Sequence, residues 1–487
     1  MKRRRPLLTL AQRMEIVAFL LLVTMTLLFL FLRPVTELER VRAKGELVVA
    51  TRIGNTTYQP WGNGTSGFEY DLASAFAEHL GVELRILVPD RFEAILPLVS
   101  AGRADMAAAG ITITRPRLSQ VRFGPRYMQV TEQLIYRSGG HRPESLADLD
   151  GRRILVVAGS SHAATLAQLQ PLYPGLQWEA VVDATPEDLL RQVWEGEAEL
   201  TVVDSMELAA TLRFFPELRV ALELSEPRPL AWAFKRNADS TLLKEAEVFF
   251  EQIREDGRLE QILERYFGHV EVLDYAGILT FMRRIQDRLG RFEPLFREAA
   301  EAHDMDWRLL AAISYQESHW DPRAISHTGV RGLMMLTRAT AGQLGIQDRT
   351  DPRKSVFGGA EYFTHLRERL PDDIQEPDRT WMALAAYNVG LGHFYDARRI
   401  TRAQGGDPDR WVDVMDHLPL LSQPQWHRQT RYGYARGWEP VHYVQNIRSF
   451  YDILTWLNGS HETPDEAPPP PPPRRGIAPL EILPPGL

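Results

Sequence analysis

Hydrophobic positions change their spacing near the middle of the chain, and this change separates two predicted structural classes. From Gly45 to about Gly268, short runs of aliphatic and β-branched residues alternate with segments of helical periodicity. Such alternation is typical of α/β folds with mainly parallel sheets. From Gly277 onward the strand-like runs disappear and apolar residues recur every three to four positions. This spacing predicts an all-helical region that ends near Asn458.

The first region contains several runs that read as buried strands or as helices. The predicted strands are Leu47–Thr51, Leu84–Val88, Ile154–Ala158, Thr201–Val203 and Leu230–Phe234, and the predicted helices are Asp71–His79 and Glu187–Trp194. In the first helix, Asp71 is a candidate N-cap because its carboxylate can accept from free amides. Gly81 is the candidate stop, since glycine readily adopts left-handed geometry.

One predicted helix of the second region places a carboxylate among apolar residues. Leu310 and Ile313 precede Glu317 by seven and four positions, so the three share one helix face. Asp321 and Pro322 close this helix, with Asp321 read as a cap, because proline disfavours α geometry in the preceding residue. Burial and the negative end of the helix dipole both raise the pKa of Glu317, as a general acid requires. A buried ion pair is the alternative.

The two ends of the chain differ from both regions. An uncharged apolar run, Ile16–Leu32, follows a basic segment, and its ~17 residues lie at the lower limit for crossing a bilayer. No small-residue cleavage motif follows, so the residues favour an uncleaved anchor over a cleaved signal peptide. We assign residues 1–32 to a signal peptide or membrane anchor and 33–44 to a linker. Residues 461–487, which include the proline run Ala467–Pro473, are predicted to form a disordered tail.

Composition narrows the classes of function. The 487 residues suffice for two or three domains, and the 44% hydrophobic and 25% charged contents are those of a globular protein. The net charge of −8 provides no basic stripe that could neutralise phosphates, so nucleic acid is not an expected partner. Cysteine is absent, which excludes both disulfides and a lipid anchor on cysteine.

Three blocks of the helical region resemble the family-one lytic transglycosylases, which cleave peptidoglycan. The blocks are Gln316–Ser318 with Gly332–Met334, then Ala386–Gly390, and finally Glu439–Val444. The resemblance covers roughly Tyr275–Asn458 and implies a goose-lysozyme-like helical fold. Many relatives carry glutamine where this chain has Met335, which weakens any inference about a polar contact at that position.

In the family that the helical region resembles, one glutamate does all the proton transfer. The resemblance implies that Glu317 protonates the glycosidic oxygen between N-acetylmuramic acid and N-acetylglucosamine. It would then take the proton of the muramoyl 6-hydroxyl, which gives a 1,6-anhydro sugar without water. The implied substrate-binding residues are Ser318, Gly332, Met334, Tyr387, Asn388 and Tyr443.

Each of these supporting residues has an implied role. Ser318 and Tyr443 are expected to orient Glu317 and the acetamido group of the substrate. Tyr387 and Asn388 are expected to line the saccharide groove, and Gly332 to let the backbone approach the sugar. Simple core packing is the alternative for Tyr387 and Tyr443.

The first region resembles the extracellular solute-binding proteins of family three, which are two-lobed receptors for amino acids or small peptides. The matching segments are Gly45–Val49, Gly67–Asp71 and Thr112–Arg117. The resemblance implies that Arg117 grips a ligand carboxylate with two parallel hydrogen bonds and that Asp204 meets the ligand amine. Tyr58 and Trp61 are candidate walls of the cleft. A surface position for Arg117, a helix cap for Asp204 and packing for the two aromatic residues are the alternatives.

Together the two resemblances predict a multidomain protein. A two-lobed α/β periplasmic-binding-protein-like domain over residues 45–268 precedes an all-α, goose-type lysozyme-like transglycosylase domain over residues 269–460. The expected partners are peptidoglycan glycan strands, an amino-acid or muropeptide ligand in the binding domain, and a membrane. Cofactors and metals are not expected, since His319 and His442 lack ligand spacing.

Proteins that join these two modules are associated with the periplasmic face of the Gram-negative outer membrane. We therefore expect a peripheral outer-membrane location, with an uncleaved inner-membrane anchor as the alternative. Two other functions are open: a goose-lysozyme-type hydrolase that adds water across the same bond, and a receptor whose helical half is inactive.

Overall fold

The computed structural model describes residues 35–60, 65–237, 239–268, 275–326 and 329–459, together with the isolated positions 19 and 25. Four segments lie outside these residues: the predicted anchor or signal segment apart from positions 19 and 25, the loop that contains Trp61, the segment after Gly268 and the proline-rich tail. Among the described residues, no helix combines the length and the apolarity needed to cross a bilayer.

The first module alternates helices and strands, as the spacing of its hydrophobic residues predicts. Its helices are α1 Glu37–Lys44, α2 Phe68–Leu80, α3 Ile95–Ser100, α4 Arg115–Leu118, α5 Ser161–Leu169, α6 Pro186–Glu195, α7 Ser205–Thr211, α8 Thr241–Glu255 and α9 Arg258–Phe267. Its strands are β1 Glu46–Ala50, β2 Glu83–Leu87, β3 Met106–Ala107, β4 Val121–Val130, β5 Glu132–Arg137, β6 Arg153–Val157, β7 Gln177–Val181, β8 Leu200–Asp204, β9 Leu218–Glu223 and β10 Arg228–Lys235.

The strands form two five-stranded sheets, and each sheet is the centre of one lobe. The first has the order β2-β1-β3-β10-β4 and the second the order β7-β6-β8-β5-β9. In each sheet three neighbouring strands pair in parallel, and one strand, β10 in the first sheet and β5 in the second, runs antiparallel to both of its neighbours. The chain crosses between the lobes from β4 to β5 and returns from β9 to β10. The expectation of mainly parallel sheets is therefore only partly correct.

The start of helix α2 corrects one prediction and its end confirms another. The helix begins at Phe68 with Gly67 at the N-cap, so Asp71 is not the cap. Its carboxylate instead accepts hydrogen bonds from Arg265 Nη1 at 2.7 Å and Tyr266 Oη at 2.9 Å, which join α2 to α9. Gly81 ends the helix in the left-handed conformation with φ of 72°.

Within the described residues, the regular elements of the second module are helices, and isolated bridges join Arg331 to Ile325 and Leu336 in the loop after Ser318. Its helices are α10 Tyr275–Arg284, α11 Gly290–Ala302, α12 Trp307–Ser318, α13 Arg338–Gln343, α14 Pro352–Glu368, α15 Asp378–Val389, α16 Leu391–Ala403, α17 Trp411–His417, α18 Pro424–His427 and α19 Trp438–Gly459. A π-helical turn, Ile285–Leu289, connects α10 to α11, and a 3₁₀ turn, Leu418–Ser422, follows α17.

Helix α12 is fixed at both ends and lies between α11 and α19. Asp306 caps its first turn by accepting from the Arg308 amide at 2.8 Å. Its apolar face packs into the core through Tyr315, whose ring centre lies 4.5 Å from that of Phe281 and 4.7 Å from that of Phe450. Since this core holds α12 rigidly, the last turn of the helix is a fixed platform for side chains.

Helix α19 joins the second module to both lobes of the first. Arg448, in the middle of α19, pairs with Glu264 of the first lobe and donates to the Arg265 carbonyl at 2.8 Å. Near the end of α19, Trp456 Nε1 donates to Glu187 Oε1 of the second lobe at 3.0 Å. The Trp456 ring also stacks on Phe214 at 5.1 Å between ring centres. The two modules therefore share a continuous buried interface.

Candidate active site and ligand cleft

The three sequence blocks of the helical module meet around Glu317. Glu317 lies in the last turn of α12, Tyr387 near the end of α15 and Tyr443 in the second turn of α19. Tyr443 Oη donates a hydrogen bond to Glu317 Oε1 at 2.6 Å, although the two residues are 126 positions apart. The fold thus brings together side chains that only the resemblance linked.

Glu317 has the electrostatic properties of a general acid. The residue is half-buried, and burial raises its pKa to about 7, while the hydrogen bond from Tyr443 opposes this rise. Within the described part of the chain, no cationic side chain pairs with Glu317. The alternative of a buried ion pair is therefore wrong for these residues. A carboxyl group with a pKa near neutrality can both release and recover a proton.

Ser318 has a different position from the one expected of it. Its hydroxyl lies 3.0 Å from the Ser314 carbonyl and 2.9 Å from the Leu333 carbonyl, and it can donate to one of them at a time. Ser314 Oγ also contacts the Leu333 carbonyl, at 3.1 Å. Ser318 is buried and faces the loop that follows the helix rather than Glu317. Its contacts thus support the loop that carries Gly332 and Met334.

Gly332 and Met334 are scaffold residues in the structure. Gly332 has φ of 86°, and a Cβ atom there would lie 1.9 Å from the Arg349 carbonyl oxygen, so glycine is needed for packing within the protein. Met334 is fully buried against Gly359. Its side chain is therefore not available to a substrate, which corrects that prediction; its carbonyl accepts a hydrogen bond from Tyr387 Oη at 3.0 Å.

Tyr387 and Asn388 lie side by side but differ in exposure. Tyr387 is half-buried, its hydroxyl is bound to the Met334 carbonyl, and its ring packs against Tyr362 at 5.3 Å. The nearby Glu317 charge contributes to a raised pKa of Tyr387, after the larger effect of burial. Asn388 is exposed. Stacking of Tyr387 on a sugar stays a prediction, while Asn388 is accessible for a polar contact.

Backbone strain is concentrated close to Glu317. His319, Trp320 and Met335 have φ angles of 52°, 57° and 46°, which residues with a side chain seldom adopt. His319 and Trp320 directly follow α12, and Met335 follows the supporting loop. Strained conformations are retained mainly at functional sites, where the surroundings impose them. The sequence offered no signal for Trp320 and Met335, because neither residue type favours left-handed geometry.

The cleft between the two lobes contains a cavity of about 310 Å³, and Arg117 lies in its wall. Arg117 Nη1 donates to the Thr112 carbonyl at 3.0 Å, and Nη2 donates across the cleft to the Gly159 carbonyl at 3.3 Å. The guanidinium also lies over the Phe92 ring, 5.6 Å from its centre. Arg117 is buried, so the alternative of a surface arginine is wrong.

Asp204 faces the same cavity with two other buried polar residues. It occupies the position before α7, but its side chain makes no capping hydrogen bond, so the alternative of a helix cap is wrong. Asp204 Oδ1 lies 3.3 Å from His162 Nε2, and Glu132 completes a group whose polar atoms lie within 4.8 Å of one another. Among the described residues, Asp204 Oδ1, both His162 nitrogens and Glu132 Oε2 have no directed hydrogen-bond partner.

Among the described residues, the aromatic side chain that lines the cavity is that of Phe92 rather than that of the predicted Tyr58. Tyr58 packs against Tyr70 at 5.7 Å between ring centres and does not line the cavity. The prediction for Trp61 lies outside the described residues. Arg52 and Glu207 form an ion pair that joins the lobes at the cavity, and sequence reasoning missed both. A signal for Arg52 existed, because ligand sites form at the carboxyl ends of parallel strands and Arg52 follows β1.

Comparisons with known proteins agree with this arrangement. Residues 47–269 match the family model of bacterial extracellular solute-binding proteins, family 3, and residues 294–409 match the transglycosylase SLT domain. The chain is 51% identical over 460 residues to a membrane-bound lytic murein transglycosylase F 1 of Alkalilimnicola ehrlichii, covering 93% of each chain. It is also 51% identical over 423 residues to a membrane-bound lytic murein transglycosylase F of Ectopseudomonas mendocina, covering 86% of each.

Solved structures resemble the first module. A mutant of ArgBP from T. maritima has 23% identity and a TM-score of 0.44, covering 48% of this chain and 99% of that one. An ancestral arginine-binding protein bound to arginine has 28% identity and a TM-score of 0.41, covering 46% and 98%.

Proposed function

The chain belongs to the membrane-bound lytic murein transglycosylase F family, and from this premise we propose that Glu317 is its single acid and base. The protein is a murein-degrading lytic transglycosylase with a ligand-binding module of the solute-binding type. One observation carries the assignment of Glu317. Its carboxyl group has a pKa of about 7 and a 2.6 Å hydrogen bond from Tyr443, with no neutralising cation in the described residues.

The proposed reaction uses one proton twice. Protonated Glu317 gives its proton to the glycosidic oxygen between N-acetylmuramic acid and N-acetylglucosamine, and the bond from muramoyl C1 to that oxygen breaks. The resulting carboxylate then takes the proton of the muramoyl 6-hydroxyl as its oxygen bonds to C1. The products are a 1,6-anhydromuramoyl end and a free N-acetylglucosamine 4-hydroxyl. A carboxyl pKa near the working pH suits both steps, because either protonation state is accessible.

Tyr443 is proposed to hold Glu317 in position and to set the balance of its two protonation states. Its hydrogen bond favours the carboxylate, since it lowers a pKa that burial raises. Ser318, Gly332 and Met334 are proposed to support the site from behind, through the loop contacts described above. Asn388 is the proposed polar contact for the saccharide, and Tyr387 the aromatic one.

The ligand of the binding module is proposed to carry an α-amino acid end. Arg117 would bind the carboxylate and Asp204 the ammonium group, with His162 and Glu132 beside it. A metal ion is a poorer occupant of this cluster, because Arg228 pairs with Glu132 at 3.1 Å and Arg117 already lies near both carboxylates. Free amino acids and the stem peptides of muropeptides both offer this chemistry.

Binding in the first module is proposed to influence cleavage through α19. This helix contacts the first lobe through Arg448 and the second through Trp456, and Tyr443 on the same helix binds Glu317. A ligand that binds the open and closed lobes unequally would then bias the active site. Titration of stem peptides during cleavage tests this, with Arg117→Ala as the control. The idea fails if no peptide changes the rate.

The protein is associated with the cell envelope as a membrane-bound lytic transglycosylase. We place it at the periplasmic side of the outer membrane, with an inner-membrane anchor through residues 16–32 as the alternative. Separation of the two membranes followed by immunoblotting distinguishes these locations. Deletion of residues 1–34 should release the protein from the membrane only if this segment stays attached to the mature protein as an anchor.

Digestion of purified peptidoglycan in heavy-oxygen water tests the proposed reaction. We expect products with 1,6-anhydromuramoyl ends and no incorporated label, as measured by mass spectrometry. Labelled reducing ends would instead support a goose-lysozyme-type hydrolase. Absence of any cleavage under conditions where the protein is folded would support a receptor.

A further inference from the structure

The described residues from position 35 onward expose three large aromatic side chains, and all three lie in the short segment before α19. Tyr432, Tyr434 and Trp438 are 51%, 56% and 48% exposed. Ala435 and Gly437 between them are buried, so the exposed side chains alternate with buried positions. We call the segment Tyr432–Trp438 the aromatic strip. Exposed aromatic rings gathered in one place mark binding surfaces more often than scattered ones do.

The aromatic strip is held in a fixed conformation by the module beneath it. The fully buried Asp396 accepts hydrogen bonds from the backbone amides of Arg431 at 3.2 Å and Tyr432 at 2.7 Å. The amide of Ala435 donates to the Leu421 carbonyl at 3.3 Å. A Cβ atom at Gly437 would lie 1.6 Å from the Leu418 carbonyl oxygen. The rings are therefore presented on a rigid backbone, which lowers the entropy lost on binding.

Each end of the aromatic strip contacts a segment that adjoins a residue proposed for the active site. The Tyr432 ring packs on Gly392, where an added Cβ atom would lie 2.8 Å from it, and Gly392 lies in the first turn of α16, four positions after Asn388. At the other end, Trp438 contacts His442 with 6.0 Å between ring centres, and the next residue is Tyr443. The strip thus connects, at both ends, with segments that adjoin Asn388 and Tyr443, and the family resemblance assigns no role to the strip itself.

The charge around the aromatic strip is positive, although the whole chain carries −8. Residues 423–437 contain three exposed arginines and no acidic residue. The arginines are Arg428, Arg431 and Arg436. The Arg431 guanidinium lies over the Tyr432 ring, 5.5 Å from its centre, while Arg436 pairs with Glu439 at 3.0 Å. Arg428 and Arg431 are thus available to carboxylates of a bound polymer.

We propose that the aromatic strip binds the peptidoglycan strand next to the bond that is cleaved. The proposal rests on the proposed function of Glu317. Aromatic rings pack against the apolar faces of pyranose rings, and guanidinium groups pair with carboxylates of the stem peptides. The strip then holds a long strand in register, whereas a fragment too short to reach it binds only around Glu317.

Binding to insoluble peptidoglycan tests the proposal in a variant that cannot turn over. In a Glu317→Gln background, we expect Tyr434→Ala and Trp438→Ala each to weaken cosedimentation with purified sacculi by about five- to tenfold. Tyr434 is the preferred position because its ring is the most exposed, so its replacement should leave the thermal unfolding midpoint unchanged. Leu172→Ala, which removes a 74% exposed side chain on the second lobe, is the matched control and should bind normally.

The length of the substrate and its content of stem peptides separate the contribution of the aromatic rings from that of the arginines. With Glu317 intact, the aromatic variants should cleave long strands about five- to tenfold less efficiently, through a higher KM, and short soluble muropeptides at the parent rate. Arg431→Gln should weaken binding only to strands that retain stem peptides. Equal binding and cleavage of long strands by the parent and the aromatic variants would overturn the proposal. If the parent cleaves nothing, the proposed function fails, while the sedimentation result still decides whether the strip binds the strand.

Discussion

Two glutamates in different modules have similarly raised pKa values, and both receive a hydrogen bond from α19. Burial raises the pKa of Glu317 and of Glu187 to about 7, and each is half-buried. Tyr443 donates to Glu317 near the start of the helix, and Trp456 donates to Glu187 near its end. The two donors are 13 residues apart, or roughly 20 Å along the helix axis.

The surroundings of the two carboxyl groups differ in ways that the pKa does not reveal. Glu317 lies in the last turn of α12, next to the strained residues His319 and Trp320. Glu187 begins α6, has Asp188, Glu207 and Arg191 as charged neighbours, and faces the interface between the modules. A raised pKa therefore identifies candidates but does not by itself distinguish a reacting acid from an interface contact. We expect Glu317 to carry the chemistry and Glu187 to help hold α19 against the second lobe.

Removal of each carboxyl group should give the largest difference between the two sites. We expect Glu317→Gln to lower kcat by about 10³-fold or more, since the proton donor and acceptor of both steps is lost. Glu187→Gln should change cleavage without added peptide by less than about twofold. Rates on purified peptidoglycan, with far-ultraviolet circular dichroism as the folding control, measure both. Comparable losses in the two variants would show that the distinction is wrong.

Removal of each hydrogen-bond donor should give the next largest difference. Tyr443→Phe is expected to lower kcat by about 10- to 100-fold, because Glu317 loses its orientation. The lost hydrogen bond also raises the pKa of Glu317 further, so the alkaline limb of the kcat profile moves to higher pH. Trp456→Phe removes the corresponding donor to Glu187 and should leave this limb in place. A fixed limb in Tyr443→Phe would show that Glu317 is not the titrating group.

The two glutamates should contribute in a similar way to the pH dependence of the free energy of unfolding. For each glutamate the pKa in the folded state, about 7, exceeds the unfolded value of about 4.5. The favourable contribution of each protonated group is complete below pH 4.5 and is lost as the pH rises through 7. Either Gln variant should therefore gain about 1 to 3 kcal/mol relative to the parent between pH 4 and pH 8. Urea unfolding at both pH values measures this gain, and a pH-independent difference would contradict the raised pKa values.

Among the substitutions around Glu317, the smallest effect on catalysis is expected for Ser318, the residue that follows it. Ser318→Ala removes a hydroxyl that supports the Leu333 loop, so it should cost about 1 kcal/mol of stability and only a few-fold in kcat. The pH profile should keep its alkaline limb, unlike that of Tyr443→Phe. A shift of the limb in Ser318→Ala would indicate that this hydroxyl contacts the carboxyl group during the reaction.

Local signals predicted much of the fold. The alternation of apolar runs located β1, β2, β6, β8 and β10, and Gly81 located the end of α2, because these features depend on neighbouring residues. Strands β4, β5 and β9, which form antiparallel pairs, were missed, since their partners are distant in sequence and no short turn marks them; β3 and β7 were missed as well. Asp71 was assigned as a cap from its residue type, whereas its actual partners come from a helix almost 200 residues later.

The residues of the candidate sites likewise divide into those that local signals predicted and those that depend on contacts distant in sequence. Glu317 and Arg117 were chosen as candidates because each occupies a recognisable block, and Asp204 because it follows a buried strand; their roles stay predictions. Phe92 and Glu207 were missed, because a cleft between two lobes is assembled from separate segments. The roles of Ser318 and Met334 were misjudged, since their contacts depend on how the loop after α12 folds back onto the core. Sequence blocks thus locate a site, while three-dimensional packing decides which atoms face it.

Measurement of the pKa of Glu317 most directly tests the proposal that this residue is the single acid and base. Difference infrared spectroscopy between the parent and Glu317→Gln, both in a Glu187→Gln background, isolates the carbonyl band of this one protonated carboxyl group. We predict that the band titrates with a midpoint near pH 7 and is still present at pH 6. A midpoint near pH 4.5, the ordinary value for glutamate, would contradict a single residue that both gives and takes the proton.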